Sequence, residues 1–263
     1  MGRTRGTWNS KGIWGAGVAL AAVLALTGYA VLSGGDEDTE TPDKGGSSAS
    51  ASASPGPSAT YAPPDDWTEP NQWVALPRGK RTDDRGSSIG YPQSTEGAVA
   101  MMAAANTVRI EPGRDSVDEQ LRLYHSYFAK ADQSDETAEA VELRAVETDK
   151  QLHKSLGVSV GEPLPSGAYM RNTVVGYKVI KASADEVSVW LLTRVVQKAG
   201  ETAKESGSYT RSLSGAAWTD GDWKLSGKAV AEAQKGTVDK PEMAAPGDDA
   251  FNQAGWVAIR DAS

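Results

Sequence analysis

The chain has no cysteine, and only two histidines and two phenylalanines among its 263 residues. The missing thiol removes disulfides, thiolate zinc sites, cysteine nucleophiles and a lipid-modified N-terminal cysteine together. Cationic excess is lacking too. A net charge of −8 argues against a nucleic-acid binder, which would need a basic surface to neutralise phosphates, so no nucleic-acid partner is expected. The sequence contains no H-E-x-x-H, G-x-S-x-G, P-loop or G-x-G-x-x-G pattern, so neither a cofactor nor a metal centre is expected. Long apolar runs are scarce as well, with one exception near the N-terminus.

That exception is Ile13 to Leu32, IWGAGVALAAVLALTGYAVL, which carries no charged residue. At roughly 1.5 Å per residue it spans about 30 Å, the thickness of a bilayer's hydrocarbon core. Its Leu, Val and Ile residues sum to about −2.5 to −5 kcal/mol of insertion free energy. Arg3, Arg5 and Lys11 precede it, while Asp36, Glu37, Asp38, Glu40 and Asp43 follow it, with only Lys44 opposing them. The positive-inside rule then predicts a cytoplasmic head over 1–12, a single-pass span over 13–32 and an exported remainder. Gly28-Tyr29-Ala30 has small residues spaced for signal cleavage, the competing reading, and it exports the same remainder.

Residues 33–66 are Gly, Ser, Ala, Pro, Thr and acid, including SSASASASPGPSA. Such a stretch cannot bury enough apolar surface to offset its ordering entropy, so it reads as a disordered tether. From Trp67 onward the chain is long enough for one domain over 67–263. Trp67 to Arg85 reads as an extended arm. Ser94 or Thr95 caps a helix through Val108, small and apolar all round. A second helix over 114–129 puts Val117, Leu121, Tyr124, His125 and Phe128 on one stripe and turns Asp118, Glu119 and Arg122 away. A third runs from Ser134 to Leu156 and stops at Gly157.

After Pro165 the residues become β-branched and aromatic, predicting strands over 172–182, 186–197 and 206–218. Thr219-Asp220-Gly221-Asp222 then folds a tight hairpin that pairs Trp218 with Trp223. Helices followed by an antiparallel meander predict an α+β domain. Over about 95–227, this element order and the W-x-D-G-x-W hairpin resemble the NTF2-like, cystatin-like fold, which implies a curved antiparallel sheet wrapped around helices.

Few residues invite chemistry. His125 shares a stripe with Leu121 and Phe128 and is expected to be packed; His153, between Leu152 and Lys154, is expected to be exposed. NTF2-like enzymes place a carboxylate and a tyrosine inside the cone, which would make Asp132 or Glu136 with Tyr124 or Tyr177 the candidates here. The plainer reading is solvated carboxylates and core aromatics. Acidic runs lack the spacing of a calcium loop. Trp67, Trp73 and Trp256, in irregular flanks, are candidates for a partner-binding surface, with core packing as the plainer alternative.

Head, span, tether and exported domain together look like the bitopic assembly subunits of conjugative and type IV secretion machines. Gly90 to Ala100, GYPQSTEGAVA, also resembles membrane-anchored proteins of mobile elements in GC-rich Gram-positive bacteria. The resemblance implies a non-enzymatic scaffold that contacts the bilayer through 13–32 and other envelope proteins or itself. The alternative is a surface-displayed small-molecule-binding or enzymatic domain. A cone plugged by Met101, Met102, Tyr124 and Phe128 would favour the scaffold, and a deep pocket the alternative.

Overall fold

The computed structural model describes residues 66–236 and 239–260; the head, the predicted span and nearly all of the predicted tether lie outside them. Among the described residues no helix is long and apolar enough to cross a membrane.

The strands, in chain order, are β1 (Trp73–Ala75), β2 (Arg81–Thr82), β3 (Ser88–Ile89), β4 (Val108–Ile110), β5 (Ala168–Ala182), β6 (Glu186–Ala199), β7 (Ser206–Thr219), β8 (Asp222–Leu225) and β9 (Val257–Arg260). The main sheet runs β1-β9-β5-β6-β7-β8, with β4 also on β5, while β2 and β3 form a separate pair. The general α+β class therefore holds. The sheet is mixed rather than wholly antiparallel, because β1 and β9 run parallel, Trp73 opposite Ala258. This pairing joins segments too far apart in the chain for local pattern to reveal it. Register shifts between Val174 and Gly176 and between Val179 and Lys181 kink β5 against β6 and bend the sheet.

Three helices, α1 (Thr95–Ala105), α2 (Ser116–Tyr127) and α3 (Asp135–Leu156), start at side chains that satisfy orphan amides. The Ser94 hydroxyl accepts from Gly97 N at 3.1 Å and the Asp115 carboxylate from Asp118 N at 2.8 Å. Ser134 and Thr137 cap each other reciprocally, and Gly157 ends α3 in the left-handed region. Helix α1 stops short of the predicted Val108. The Asn106 amide donates back to the Met102 carbonyl at 2.7 Å, and the chain turns into β4.

Helix α2 is rotated from its predicted stripe. Gln120, Leu123, Tyr124 and Tyr127 lie deepest, and Glu119, expected to face water, is 2 % exposed. Its carboxylate accepts from Arg122 Nε at 2.9 Å and Nη2 at 2.7 Å. A carboxylate paired in this way tolerates burial, which a stripe drawn from apolar residues alone misses.

The β7–β8 hairpin forms as predicted. Asp220 and Gly221 both take positive φ, 55° and 78°, as a type I′ turn requires. Trp218 and Trp223 meet edge to face, with centroids 5.4 Å apart. Asp222 ties this hairpin to the Gly90–Pro92 turn, accepting from Gly90 N at 3.1 Å and Tyr91 N at 3.2 Å. The Trp223 indole donates to the Pro92 carbonyl at 2.9 Å. That carbonyl sits so close to Gly97 that a β-carbon there would stand 1.9 Å from it. The two stretches that carried the sequence resemblances are thus one packed unit.

The sequence reading assigns no element beyond Leu225. There the chain forms α4 (Gly227–Lys235), α5 (Asp249–Gln253) and then β9. Helix α4 lies on the face of the sheet opposite α1–α3, where the buried Ser188 hydroxyl donates to the Ala229 carbonyl at 3.0 Å. Phe251 and Trp256 pack on the same outer face with Trp190, Leu192 and Ala258.

Candidate functional site

The two faces of the sheet differ in what they leave open. On the inner face one cluster joins Met101, Met102, Tyr124, Tyr127, Phe128 and Trp223 to residues of β5 and β6. All four side chains expected to plug the interior are buried. Tyr124 caps rather than faces a carboxylate: its hydroxyl accepts from Ser134 N at 3.0 Å and contacts Thr137 Oγ1. Asp132 and Glu136 are exposed. Tyr177 is buried, and that burial raises its pKa, with the Glu96 charge adding to the rise. The structure therefore does not bring the proposed carboxylate–tyrosine pairs together. The Gln120 amide is fully buried with no hydrogen-bond partner on either atom.

His125 is half-buried, packing edge-on against Tyr124 at 5.1 Å between centroids. His153 is not exposed as predicted but 5 % accessible. Its Nδ1 lies 2.8 Å from the Asp149 carbonyl and its Nε2 2.8 Å from the Glu162 carbonyl. Two carbonyl oxygens only accept, so the ring satisfies both contacts best as an imidazolium, with the Asp149 carboxylate 3.2 Å from Nδ1. Burial opposes the charge, but the two carbonyls and Asp149 outweigh it and raise the pKa. Nearby, Ser116 Oγ donates to Asp149 Oδ1 at 3.2 Å. Asp149 and His153 border a cleft of about 470 Å³ that Glu111, Arg114 and Glu162 also line. Both imidazole nitrogens are engaged by carbonyls, so His153 is not free to take a proton from the serine.

The outer face is covered only in part. Beyond the Phe251–Trp256 cluster lies an open groove of about 550 Å³, whose walls include Trp73, Tyr169, Arg171, Arg194, Glu205 and Arg260. Strand alternation puts Tyr169, Arg171 and Thr173 outward from β5 while Ala168, Met170 and Asn172 point inward. Arg171 stacks on Tyr169 at 4.3 Å and Arg260 on Trp73 at 5.3 Å. The acids present hold these cations loosely: Glu111 lies 3.6 Å from Arg171 and Glu205 4.0 Å from Arg194. In a chain of net charge −8 this cationic concentration runs against the average.

Two of the three tryptophans proposed for a partner surface border this groove or its approach. Trp73 lines it, and Trp67, 37 % exposed, is linked to Trp73 through one carboxylate. Glu69 accepts from the Trp67 indole at 3.0 Å and from the Trp73 indole at 2.6 Å. Those two donors, with Arg260 nearby, lower its pKa. Trp256 departs from the expectation: it is 2 % exposed, stacks with Phe251 and donates to the Glu242 carbonyl at 2.7 Å. Sequence reasoning missed the arginines, although the outward residues of β5 and β6 follow a period of two that would have gathered them.

Among the described residues no group of three or more histidine, aspartate or glutamate side chains is placed to hold a metal ion. Comparison with protein-family models, with curated proteins and with solved structures found no match for this chain.

Proposed function

We propose that this chain is a membrane-anchored, non-enzymatic scaffold or assembly protein. A span over 13–32 anchors it with the N-terminus in the cytoplasm, and the domain is held outside on the tether. The domain acts by presenting the open half of its outer sheet face to another envelope protein or to a second copy of itself. One observation carries this reading: the inner face is filled by side chains, while the cation–aromatic groove of the outer face stays open. Interfaces favour Arg, Trp and Tyr in this kind of setting. Helices followed by a bent, mostly antiparallel meander support an NTF2-like fold, and the resemblance to conjugative and type IV secretion subunits supplies an assembly setting.

A second reading, a small-molecule-binding or enzymatic domain, has the unpartnered Gln120 amide in its favour, since convergent polar groups mark ligand pockets. Photo-crosslinking in intact cells separates the two. A crosslinker replacing Val196, in the groove, should capture a defined partner, whereas one replacing Leu143, 66 % exposed on α3, should not. Equal capture from both positions would remove the groove from the account.

A further inference from the structure

Three arginines and one glutamate line the groove, and the chain also carries a strongly acidic stretch. Between the predicted span and Asp43 the sequence reads SGGDEDTETPD, with Asp36, Glu37, Asp38, Glu40 and Asp43 set close together and only Lys44, next in the chain, opposing them. We propose that this acidic stretch of the tether, residues 36–43, docks intramolecularly in the Arg171–Arg194–Arg260 groove and is the occupant that any external partner must displace. The inference rests on the groove being a binding face and deepens that reading.

Charge and reach both support it. Arg171, Arg194 and Arg260 face one cleft, each with one carboxylate near it: Glu111 at 3.6 Å, Glu205 at 4.0 Å and, beside Arg260, Glu69. Contacts this long leave guanidinium donors for further carboxylates. The tether enters the domain beside the groove. Thr68 N donates to the Gly247 carbonyl at 2.7 Å, fixing the arm on the outer face, and the Trp67 and Trp73 indoles share Glu69. From Trp73 on β1 to Arg194 on β6 is three strand spacings, about 14 Å. Were the residues between Asp43 and Trp67 the flexible coil that their composition predicts, they would span about 25–30 Å on average, so the acids would reach the cleft without being stretched. Tethered this closely, they present an effective concentration of order millimolar. A stretch of eight residues extended at roughly 3.3 Å each covers about 26 Å, enough to meet all three arginines.

The absence of native cysteine makes the test clean. In the full chain, held in nanodiscs, Asp38→Cys is combined with Thr173→Cys, an exposed position lining the groove, or with Leu143→Cys on α3 as control. Mild oxidation should close the groove disulfide within one chain about tenfold faster than the control disulfide. That preference should vanish when Arg171→Ala and Arg194→Ala are added. It should also vanish in about 1 M salt, where the screening length is roughly 3 Å. Equal rates for the two pairs would overturn the proposal, as would a preference indifferent to salt and to the arginines. A product formed only between chains would overturn it in favour of a second copy as occupant. Capture from Val196 is scored separately, so tether docking can fail while the groove remains a partner site.

Discussion

The two faces of the central sheet show how one strand can serve two purposes. From Val187 to Thr193, β6 is buried on both sides: Val189 and Leu191 look into the helical core, Trp190 and Leu192 into the C-terminal cover. Further along, the same strand turns Arg194 and Val196 into the groove. The inner face carries one continuous buried cluster; the outer one is covered where α4, Phe251 and Trp256 lie and open where the arginines stand. Stability and recognition are therefore separated along the outer face rather than between domains, and substitutions should divide accordingly.

The largest effect is expected at Trp223, fully buried on the inner face with its indole donating to the Pro92 carbonyl. Trp223→Ala should cost about 3–5 kcal/mol in urea unfolding. Phe251→Ala, on the outer cover, should cost about 3 kcal/mol in the same cooperative transition. If it instead costs under about 1 kcal/mol, or unfolds in a separate step, the cover is not part of the folded unit and the contrast between the faces weakens.

A sharper probe of the inner face is Gln120. Its amide has no partner, so Gln120→Leu should raise stability by about 1 kcal/mol if the interior is simply a core. Loss of stability would point to a bound group that the amide serves.

His153 sets a pH dependence of predictable sign. Its folded pKa is raised, so the stabilisation from its imidazolium is complete below the unfolded value of about 6.5. It is lost as pH climbs through the folded value. The groups facing the ring are the Asp149 carboxylate with its carbonyl and the Glu162 carbonyl, with Glu111 and Arg114 across the cleft. Unfolding measured upward from about pH 6.5 should therefore show falling stability in the native chain and a flatter profile in His153→Gln. A parallel profile in the variant would mean that the ring is neutral in the fold.

How much of this was legible in the sequence depends on distance along the chain. The cap at Ser94, one of the two residues offered for it, the left-handed stop at Gly157 and the Asp-Gly turn are local devices, and each stands where the residues predicted it. The parallel β1–β9 pair and the C-terminal cover are not local. Phe251, Trp256 and Ala244 sit in short or irregular segments with no period to betray them. One signal was present: VSVWLL in β6 does not alternate, and a strand apolar on both sides needs cover on both sides. That would have moved Trp256 from the proposed surface into the core. Glu119 and His153 were misplaced for a related reason, since their burial depends on partners that a hydrophobic pattern does not register.

The groove arginines should matter least to stability and most to recognition. Removing all three in Arg171→Ala/Arg194→Ala/Arg260→Ala should change unfolding free energy by no more than about 1 kcal/mol, because the ion pairs of Arg171 and Arg194 are solvent-exposed and Arg260 is itself exposed. The decisive measurement is the in-cell crosslinking yield from position 196 in that triple variant. The account predicts a fall of about tenfold, equivalent to the loss of about 1.4 kcal/mol of binding. An undiminished yield with the domain still folded would contradict it.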